Sequence, residues 1–377
     1  MKKPVKIGVC GLGMGKSHAY AAHILEQTEL VAIAEMNPES FKMAKDKLNE
    51  RKGNSAGDFF DSVQKFSDYK DMITDGNIDA MVIALPTHMH TEASIFALNH
   101  GVHVLCEKPP TVTVDEMIQV YDKVKETGLT YAFARQSRFN PSIQSARKII
   151  ATGALGDVYH AESKWNRTGG IPFRKGYGVN KETGGGVLLD LGIHAIDNAW
   201  YAMGCPRPTE VMSIMHCTFS HLGDAENLEV PYTADDMTQG LIRFENGASL
   251  TFNVNFILNT SGQPNRTLKK AGKNGWQEIY IFGDKAGVDL YNNKLINREN
   301  NSMDVTAEDL KMVPLLKHGT MEAQMADFAN AIATNTQPQN TVEQAVMLMQ
   351  MLDALFKSAE LKKSITIENM HTQLITA

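Results

Sequence analysis

The sequence predicts an α/β chain: a doubly wound parallel sheet first, then a second α/β domain built largely from antiparallel strands. Three observations carry this reading. Up to residue 134, short apolar runs rich in β-branched residues alternate with helical stretches, the order of repeated βαβ units. A glycine-rich segment, Gly11 to Gly15, falls where the first strand must turn into a helix. Past Ser137 the runs lengthen and alternate apolar with polar residues, with a hairpin signal between them.

The elements follow in order. Val5 to Cys10 reads as a strand, Ser17 to Glu26 as a helix, Leu30 to Ala34 as a strand and Glu39 to Leu48 as a helix. Ile78 to Leu85, Glu92 to Asn99, Val102 to Cys106, Val114 to Lys125 and Leu129 to Ala134 continue the alternation. Strands apolar on both faces imply a sheet covered on both sides. Arg51 to Phe60, polar and glycine-containing, reads as a surface insertion. A helix is expected from Pro141 to Thr152, then a hairpin of Gly240 to Phe244 and Ala248 to Phe256. Its turn contains Asn246-Gly247, a pair suited to positive φ at both positions. Trp276 to Phe282 and Val288 to Tyr291 suggest another hairpin, and helices close the chain at Glu322 to Ala333 and Val342 to Leu361. Domains are therefore expected at 1–134 and 135–377, with the last helices able to pack back on the first.

Composition excludes several classes. The 377 residues are 43% hydrophobic, enough for two buried cores, and 37 basic against 43 acidic residues give a net charge of −6. With no basic run, neither a nucleic acid nor an anionic membrane is an expected partner. Cys10, Cys106, Cys205 and Cys217 lack C-x-x-C spacing and read as buried thiols. Lys6 and the glycines interrupt the N-terminal apolar stretch, and no run of eighteen apolar residues occurs, so a cytoplasmic location is expected. The methionines, such as Met347, Met349 and Met351, read as core filler. His88, His90, His100 and His103 lack the carboxylate spacing of a metal site, and no metal is expected.

Gly11-Leu12-Gly13-Met14-Gly15 places backbone N–H groups at a helix N-terminus, where a pyrophosphate binds. The third glycine arrives one residue earlier than in G-x-G-x-x-G. A phosphate loop of the G-x-x-x-x-G-K-S type would need glycine at position 10, which is Cys10. Glu35 closes the second strand twenty residues after Gly15, the place of a carboxylate that accepts from the adenosine ribose. Its charge repels a 2′-phosphate, which favours NAD, with NADP as the alternative.

Further along, Gly184 to Asp197 places Asp190, His194 and Asp197 at offsets of four and three, one face of a helix. A carboxylate one turn from an imidazole accepts its N–H and holds the other ring nitrogen toward a substrate. An ordinary buried helix explains such a pair equally well when it stands alone. The glycine loop and Glu107-Lys108-Pro109-Pro110, which follows strand Val102 to Cys106, shift the balance toward chemistry. Lys108 before proline is excluded from a helix, so it becomes a positioned cation at the carboxyl edge of the sheet.

Taken together, these motifs resemble the NAD(P)-dependent glucose-fructose oxidoreductase, inositol dehydrogenase and MocA (Gfo/Idh/MocA) family. The resemblance rests on the Ile7 to His18 loop, Pro86-Thr87-His88-Met89-His90, Gly101 to Pro109 and Arg138-Phe139-Asn140-Pro141. It continues through Gly153 to Gly156, Gly184-Gly185-Gly186 with Asp190, His194 and Asp197, and Met203-Gly204. The resemblance implies a Rossmann domain followed by a domain whose open, mainly antiparallel sheet lines the active site and joins subunits into homodimers or homotetramers. It implies Lys108, Asp190 and His194 as the catalytic set. Gly11, Gly13, Met14, Gly15, Glu35, Pro86, Thr87, His90, Glu107 and Lys108 are the expected cofactor contacts.

The expected reaction is oxidation of a secondary alcohol on a sugar, inositol or related polyol, with the proton passing to His194 and Lys108 holding the substrate oxygen. Trp165, Asn166, Arg167, Phe173, Arg174 and Tyr177 offer aromatic faces and donors for a sugar. Arg167 and Trp165, with Asp190 and His194, are the expected substrate contacts. Two alternatives remain at this level: a glycosidase or epimerase that uses NAD transiently, and a non-catalytic NAD-sensing regulator.

Overall fold

Strand β1 (Val5–Cys10) begins the first of two units that the computed structural model resolves. The structure describes residues 3–173, 178–222, 228–259, 275–298, 303–314 and 319–367. The units comprise Met1–Phe139 with Leu315–Met349, and Asn140–Pro314 with Gln350–Ala377.

In the first unit β1 leads into α1 (Gly15–Ile24), β2 (Thr28–Ala34), α2 (Glu39–Lys52), β3 (Gln64–Phe66) and α3 (Tyr69–Asp75). There follow β4 (Ala80–Ile83), α4 (His90–Asn99), β5 (His103–Cys106), α5 (Val114–Thr127) and β6 (Tyr131–Phe133). The strands form one parallel sheet in the order β3-β2-β1-β4-β5-β6. Ile7, Val9, Val82 and Leu105 are fully buried, as strands covered on both faces require. Strand order reverses direction between β1 and β4, and ligands bind at the carboxyl ends of strands beside such a switch point.

One expectation here is corrected, and two elements are added. The stretch read as a surface insertion carries Phe59 and Phe60, 8% and 1% exposed, which join the core beneath α1 and α2. Strand β3 and helix α3 went unpredicted, because β3 is only three residues long and exposes Gln64 and Lys65. Its place at the sheet edge explains the missing apolar signal.

The second unit starts with α6 (Pro141–Ala151), whose N-cap Asn140 accepts from the N–H of Ser142. Strand β7 (Val158–Arg167) follows, then a π-helical turn at Leu188–Gly192 that continues directly into α7 (Ile193–Ala202). β8 (Pro208–His216), β9 (Met237–Phe244), β10 (Ser249–Asn255) and β11 (Gly275–Gly283) come next, with β12 (Ala286–Asp289), β13 (Lys294–Arg298) and β14 (Val305–Asp309). Among the described residues they form a nine-stranded sheet, β14-β13-β12-β11-β7-β10-β9-β8-β15, closed at one edge by β15 (Ile365–Thr366). Only the β7 and β10 pair runs parallel; the other pairings are antiparallel.

Helix α7 covers one face of this sheet, and the hydroxyl of Ser163 on β7 donates to the carbonyl of Ala195 at 2.8 Å. The other face holds a groove of about 490 Å³ where Met212, Ile214 and Leu241 lie beside Glu162 and Lys164. The β9–β10 turn also differs from expectation. Gly247 has φ +85°, whereas Asn246 is not among the residues with positive φ. The N–H of Gly247 donates to Phe244 and that of Phe244 to Ala248, a turn with one left-handed residue in place of two.

Helix α8 (Thr320–Thr334) belongs to the first unit, where Met325, Phe328 and Ala329 enter the core with Val9 and Ala22. Arg138, fully buried, donates to the carbonyl of Gln339 and to the side chains of Asn340 and Gln344, fastening the approach to α9 (Val342–Leu361). The unit boundary crosses α9 after Met349. Its second half is held in the second unit, where Ser213 donates its N–H to Ser358 Oγ and its hydroxyl to the carbonyl of Leu355. Among the described residues no helix is long and apolar enough to cross a membrane, and no group of three or more His, Cys, Asp or Glu is arranged to hold a metal ion.

Candidate functional site

In the first unit, the polar residues singled out by sequence gather at the carboxyl edge of the sheet. The loop after β1 is anchored there by Gly11 N–H to the carbonyl of Ala34 at 2.9 Å. The three glycines do different work. Gly11 has φ +82°, and a Cβ would meet the carbonyl oxygen of Ala84 at 2.4 Å. Gly13 has nothing within 4 Å of a Cβ position, which leaves its backbone open to a large anion. Gly15 lies 3.0 Å from Val9 Cγ1 by the same measure, so α1 packs closely on the sheet. Tight turn, close approach and helix packing are the three roles of the longer glycine pattern, met here with one residue fewer.

The first turn of α1 contains no acid and no side chain caps it at Met14, so its N–H groups suit a pyrophosphate. Glu35 stands just past β2; its carboxylate accepts from Leu12 N–H and from Asn37 N–H, both at 3.0 Å. Those bonds fix the carboxylate beside the glycine loop, with lone pairs left for ribose hydroxyls.

Pro86 precedes a short 3-10 turn, Thr87–Met89, after β4, and His90 begins α4. His90 is 1% exposed, with Nδ1 2.9 Å from the carbonyl oxygen of Pro109 and Nε2 2.8 Å from that of Leu85. Burial holds its pKa below the usual histidine value, against carbonyl contacts that favour the cation. With both nitrogens engaged inside the protein, this ring ties the Pro86 turn to the Lys108-Pro109 turn.

Glu107 is nearly buried, with one oxygen 2.7 Å from His18 Nε2 and the other accepting the N–H of Lys108 at 3.0 Å. Burial pushes this carboxyl up, but the bonds from His18 and Lys108 outweigh it and hold it below the usual range. His18 is fully buried on α1, and among the described residues its Nδ1 has no hydrogen-bond partner. Lys108, half-buried, enters a cis peptide bond with Pro109.

In the second unit, the carboxyl end of β7 and the π turn bring together a second set. The rings of Trp165 and His194 lie 5.6 Å apart, tilted by 56°. Arg167 donates to the carbonyl of Gly170 and stacks over Phe256 at 5.9 Å. Burial lowers its pKa while the charge of Asp190 opposes that change. Ser163, Trp165 and Arg167 alternate along β7 on the face that α7 covers, which is why the strand meets this helix with an aromatic and a cation. The indole N–H of Trp165 and Nε of Arg167 are buried without partners among the described residues.

The helical face predicted for Asp190, His194 and Asp197 is corrected in two ways. Asp190 lies in the π turn, so an extra residue separates it from α7, and Asp197 is fully buried while Asp190 and His194 are half-buried. Asn166 faces the opposite side of β7 and accepts from Asn255 Nδ2 at 2.6 Å. Phe173 packs edge-on against Tyr232. Arg174 and Tyr177 lie outside the described residues. The thiols also divide: Cys10 and Cys106 are buried, and burial pushes Cys106 up to about 12, whereas Cys205 is half-buried and Cys217 exposed.

Sequence reasoning missed two polar residues that hold these sets in place. His18 follows Gly15 by three residues, a spacing that puts it on the sheet side of α1. Asp235 begins the Asp-Asp pair before β9. Its Oδ2 accepts from Leu188 N–H at 2.9 Å and Thr238 Oγ1 at 2.5 Å, and burial raises its pKa against those bonds.

Fold and residues together define an oxidoreductase with a dinucleotide-binding first unit. Residues 5–134 match the oxidoreductase family described as having an NAD-binding Rossmann fold, and residues 143–289 match the GFO/IDH/MocA C-terminal domain. The chain belongs to the GFO/IDH/MocA oxidoreductase family. D-glucoside 3-dehydrogenase of Escherichia coli K12 is 27% identical over 370 residues, spanning 95% of this chain and 96% of that protein. Levoglucosan dehydrogenase of Pseudarthrobacter phenanthrenivorans is 29% identical, over 75% of this chain and 73% of its own. The fold also matches the structure of a levoglucosan dehydrogenase in complex with NADH, with a TM-score of 0.78, 23% identity, and coverage of 98% and 100%.

Proposed function

We propose that this protein is an NAD-dependent dehydrogenase of a secondary alcohol on a sugar or glycoside. The observation that carries the reading is the pairing of His194 with Trp165 at 5.6 Å, with Arg167 in the field of Asp190 beside them. An aromatic face covers the C–H side of a sugar ring, and the indole N–H of Trp165 and the Nε–H of Arg167 suit its hydroxyls. The relatives named for glucoside and levoglucosan oxidation point to the same substrate class.

The glycine loop fits the cofactor: the open backbone at Gly13 and the α1 N-terminus receive the pyrophosphate, and Glu35 accepts from the adenosine ribose. Gly11, Met14 and Gly15 shape that cradle, and the Pro86, Thr87 and Glu107 turns border it, with His90 pinning two of them. Bound NAD supplies the hydride acceptor. The negative charge of Glu35 disfavours a 2′-phosphate, so NAD is preferred to NADP. Lys108 hydrogen-bonds the substrate hydroxyl and stabilises charge growing on its oxygen. His194 takes the hydroxyl proton, and Asp190 orients a second hydroxyl or steadies the developing imidazolium. The open face of the nine-stranded sheet, with Met212 and Ile214 49% and 46% exposed, joins subunits of a homo-oligomer.

An initial-rate screen of both dinucleotides against glucosides, anhydrosugars, free aldoses and inositols tests the reading. His194→Ala is expected to lower kcat by about 10²- to 10⁴-fold while NAD binds with unchanged Kd. Equal losses in turnover and NAD affinity, or no reduction of NAD by any sugar, would overturn it.

A further inference from the structure

Two consecutive N–H groups at the entrance to the π turn are held by one residue. The carbonyl of Asp235 accepts the N–H of Val187 at 2.8 Å, and its carboxylate accepts the next N–H, that of Leu188, at 2.9 Å. Helix starts leave such N–H groups without partners, and a carboxylate there also meets the positive end of the helix dipole. Thr238 Oγ1 donates to the same carboxylate oxygen at 2.5 Å, so the acid is braced from β9. The fit has no slack. Gly186 has φ +114°, and a Cβ at that position would sit 2.0 Å from Asp235 Oδ1. Asp190 N–H then bonds to the carbonyl of Gly186 at 3.0 Å, which carries the anchored geometry into the turn. Ile193 N–H reaches back five residues to the carbonyl of Leu188, and His194 follows at once.

We propose that Asp235 is a positioning residue for the reaction: by holding the consecutive N–H groups of Val187 and Leu188, it sets the π turn and thereby the directions in which Asp190 and His194 face Trp165 and Arg167. The inference rests on the proposed roles of Asp190 and His194. It acts through backbone geometry, and Asp235 touches neither substrate nor cofactor. A π turn is a wide, rarely used loop of helix, so its register depends on such an anchor. Loss of the anchor releases the turn toward an ordinary α-helical register, which changes the direction of Asp190 relative to Trp165 and Arg167.

The test compares Asp235→Ala, Asp235→Asn and Thr238→Val in the full chain, at a temperature well below each melting point. Asp235→Ala is expected to lower kcat on methyl β-D-glucoside or levoglucosan at least 30-fold, with Kd for NADH within twofold. Asp235→Asn retains an acceptor for Leu188 and is expected to recover most of that loss; Thr238→Val loses less than fivefold. A second readout needs no substrate: the emission difference between each variant and its Trp165→Phe counterpart isolates the indole beside His194. It is expected to shift to the red in Asp235→Ala and to stay in place in Asp235→Asn. An Asp235→Ala protein of lowered melting point, but with kcat within twofold and an unmoved Trp165 emission, would reduce Asp235 to a stabilising cap and overturn the proposal. The functional reading fails separately, when His194→Ala retains full turnover.

Discussion

Replacing His18 by leucine strips a nearly buried carboxylate of a hydrogen-bonded side-chain partner, and the cost follows from the geometry. Glu107 is 7% exposed and holds His18 Nε2 at 2.7 Å. Removing one member of a buried pair costs roughly 3–5 kcal/mol, because the remaining charge has neither water nor a partner. Glu107 keeps the N–H of Lys108 at 3.0 Å, so the lower end, about 3 kcal/mol, applies. At roughly 2–4 °C per kcal/mol for a unit of this size, His18→Leu is expected to melt about 6–12 °C below the parent at pH 7. The pH dependence fixes the sign. A carboxyl held below its usual range contributes stability that is present above that range and is lost as pH falls through the lowered folded value. In His18→Leu the depression is lifted, so stability is already lower at pH 7 and falls less between pH 6 and 3. In His18→Gln, where the amide reaches the position of Nε2, most of the loss returns. Scanning calorimetry of the three proteins across that pH range gives the answer. A His18→Leu protein that melts within 2 °C of the parent at pH 7 would refute the claim that Glu107 is an ionised group dependent on His18.

Two further predictions concern the glycine loop and the open sheet. Gly13→Ala is expected to leave the melting point nearly unchanged, since nothing lies within 4 Å of the added methyl, but to raise the Kd for NADH at least tenfold. Gly11→Ala, at φ +82° and 2.4 Å from a backbone oxygen, is expected to lose about 2 kcal/mol or more of stability; identical behaviour of the two variants, by calorimetry and NADH fluorescence titration, would contradict the division of roles. Light scattering is expected to give a dimer or tetramer that Ile214→Lys dissociates, and a monomeric parent protein would remove the sheet face from the assembly.

Local pattern was enough for the parallel sheet because each of its central strands buries both faces, so Ile7, Val9, Val82 and Leu105 appear as unbroken apolar runs. The same rule fails at β3, where an edge strand of three residues exposes polar side chains and leaves no period to detect. Phe59 and Phe60 were hidden for a related reason. Their neighbours at 51–57 are polar, and only the packing of distant helices makes a pocket for two aromatics in a short 3-10 turn. In the Glu245-Asn246-Gly247 turn the Asn-Gly pair predicts positive φ at both of its positions, but Asn246 Oδ1 accepts the N–H of Ala248 and the turn closes with Gly247 alone at positive φ.

The candidate site divides along the same line. Residues that follow strands at the sheet's carboxyl edge, Gly11 to Gly15, Glu35, Pro86 and Glu107-Lys108, could be placed because strand order alone brings their loops together. What could not be read were bonds joining distant segments: His18 to Glu107 spans 89 residues, and Asp235 to Leu188 spans 47. Neither pair has a period, and each member alone looks like a common polar residue beside a helix or strand. The π turn is the clearest case. Asp190 and His194 four residues apart fit an α-helix so well that nothing in their spacing signals an extra residue in the turn between them. In the proposed arrangement a carboxylate from the segment before β9 captures Leu188 N–H, so the orientation of the two residues most important to the proposed chemistry is set by tertiary structure. It follows that transplanting the Gly184 to Asp197 segment into a relative without an acid at the position of Asp235 would carry the motif and lose its geometry.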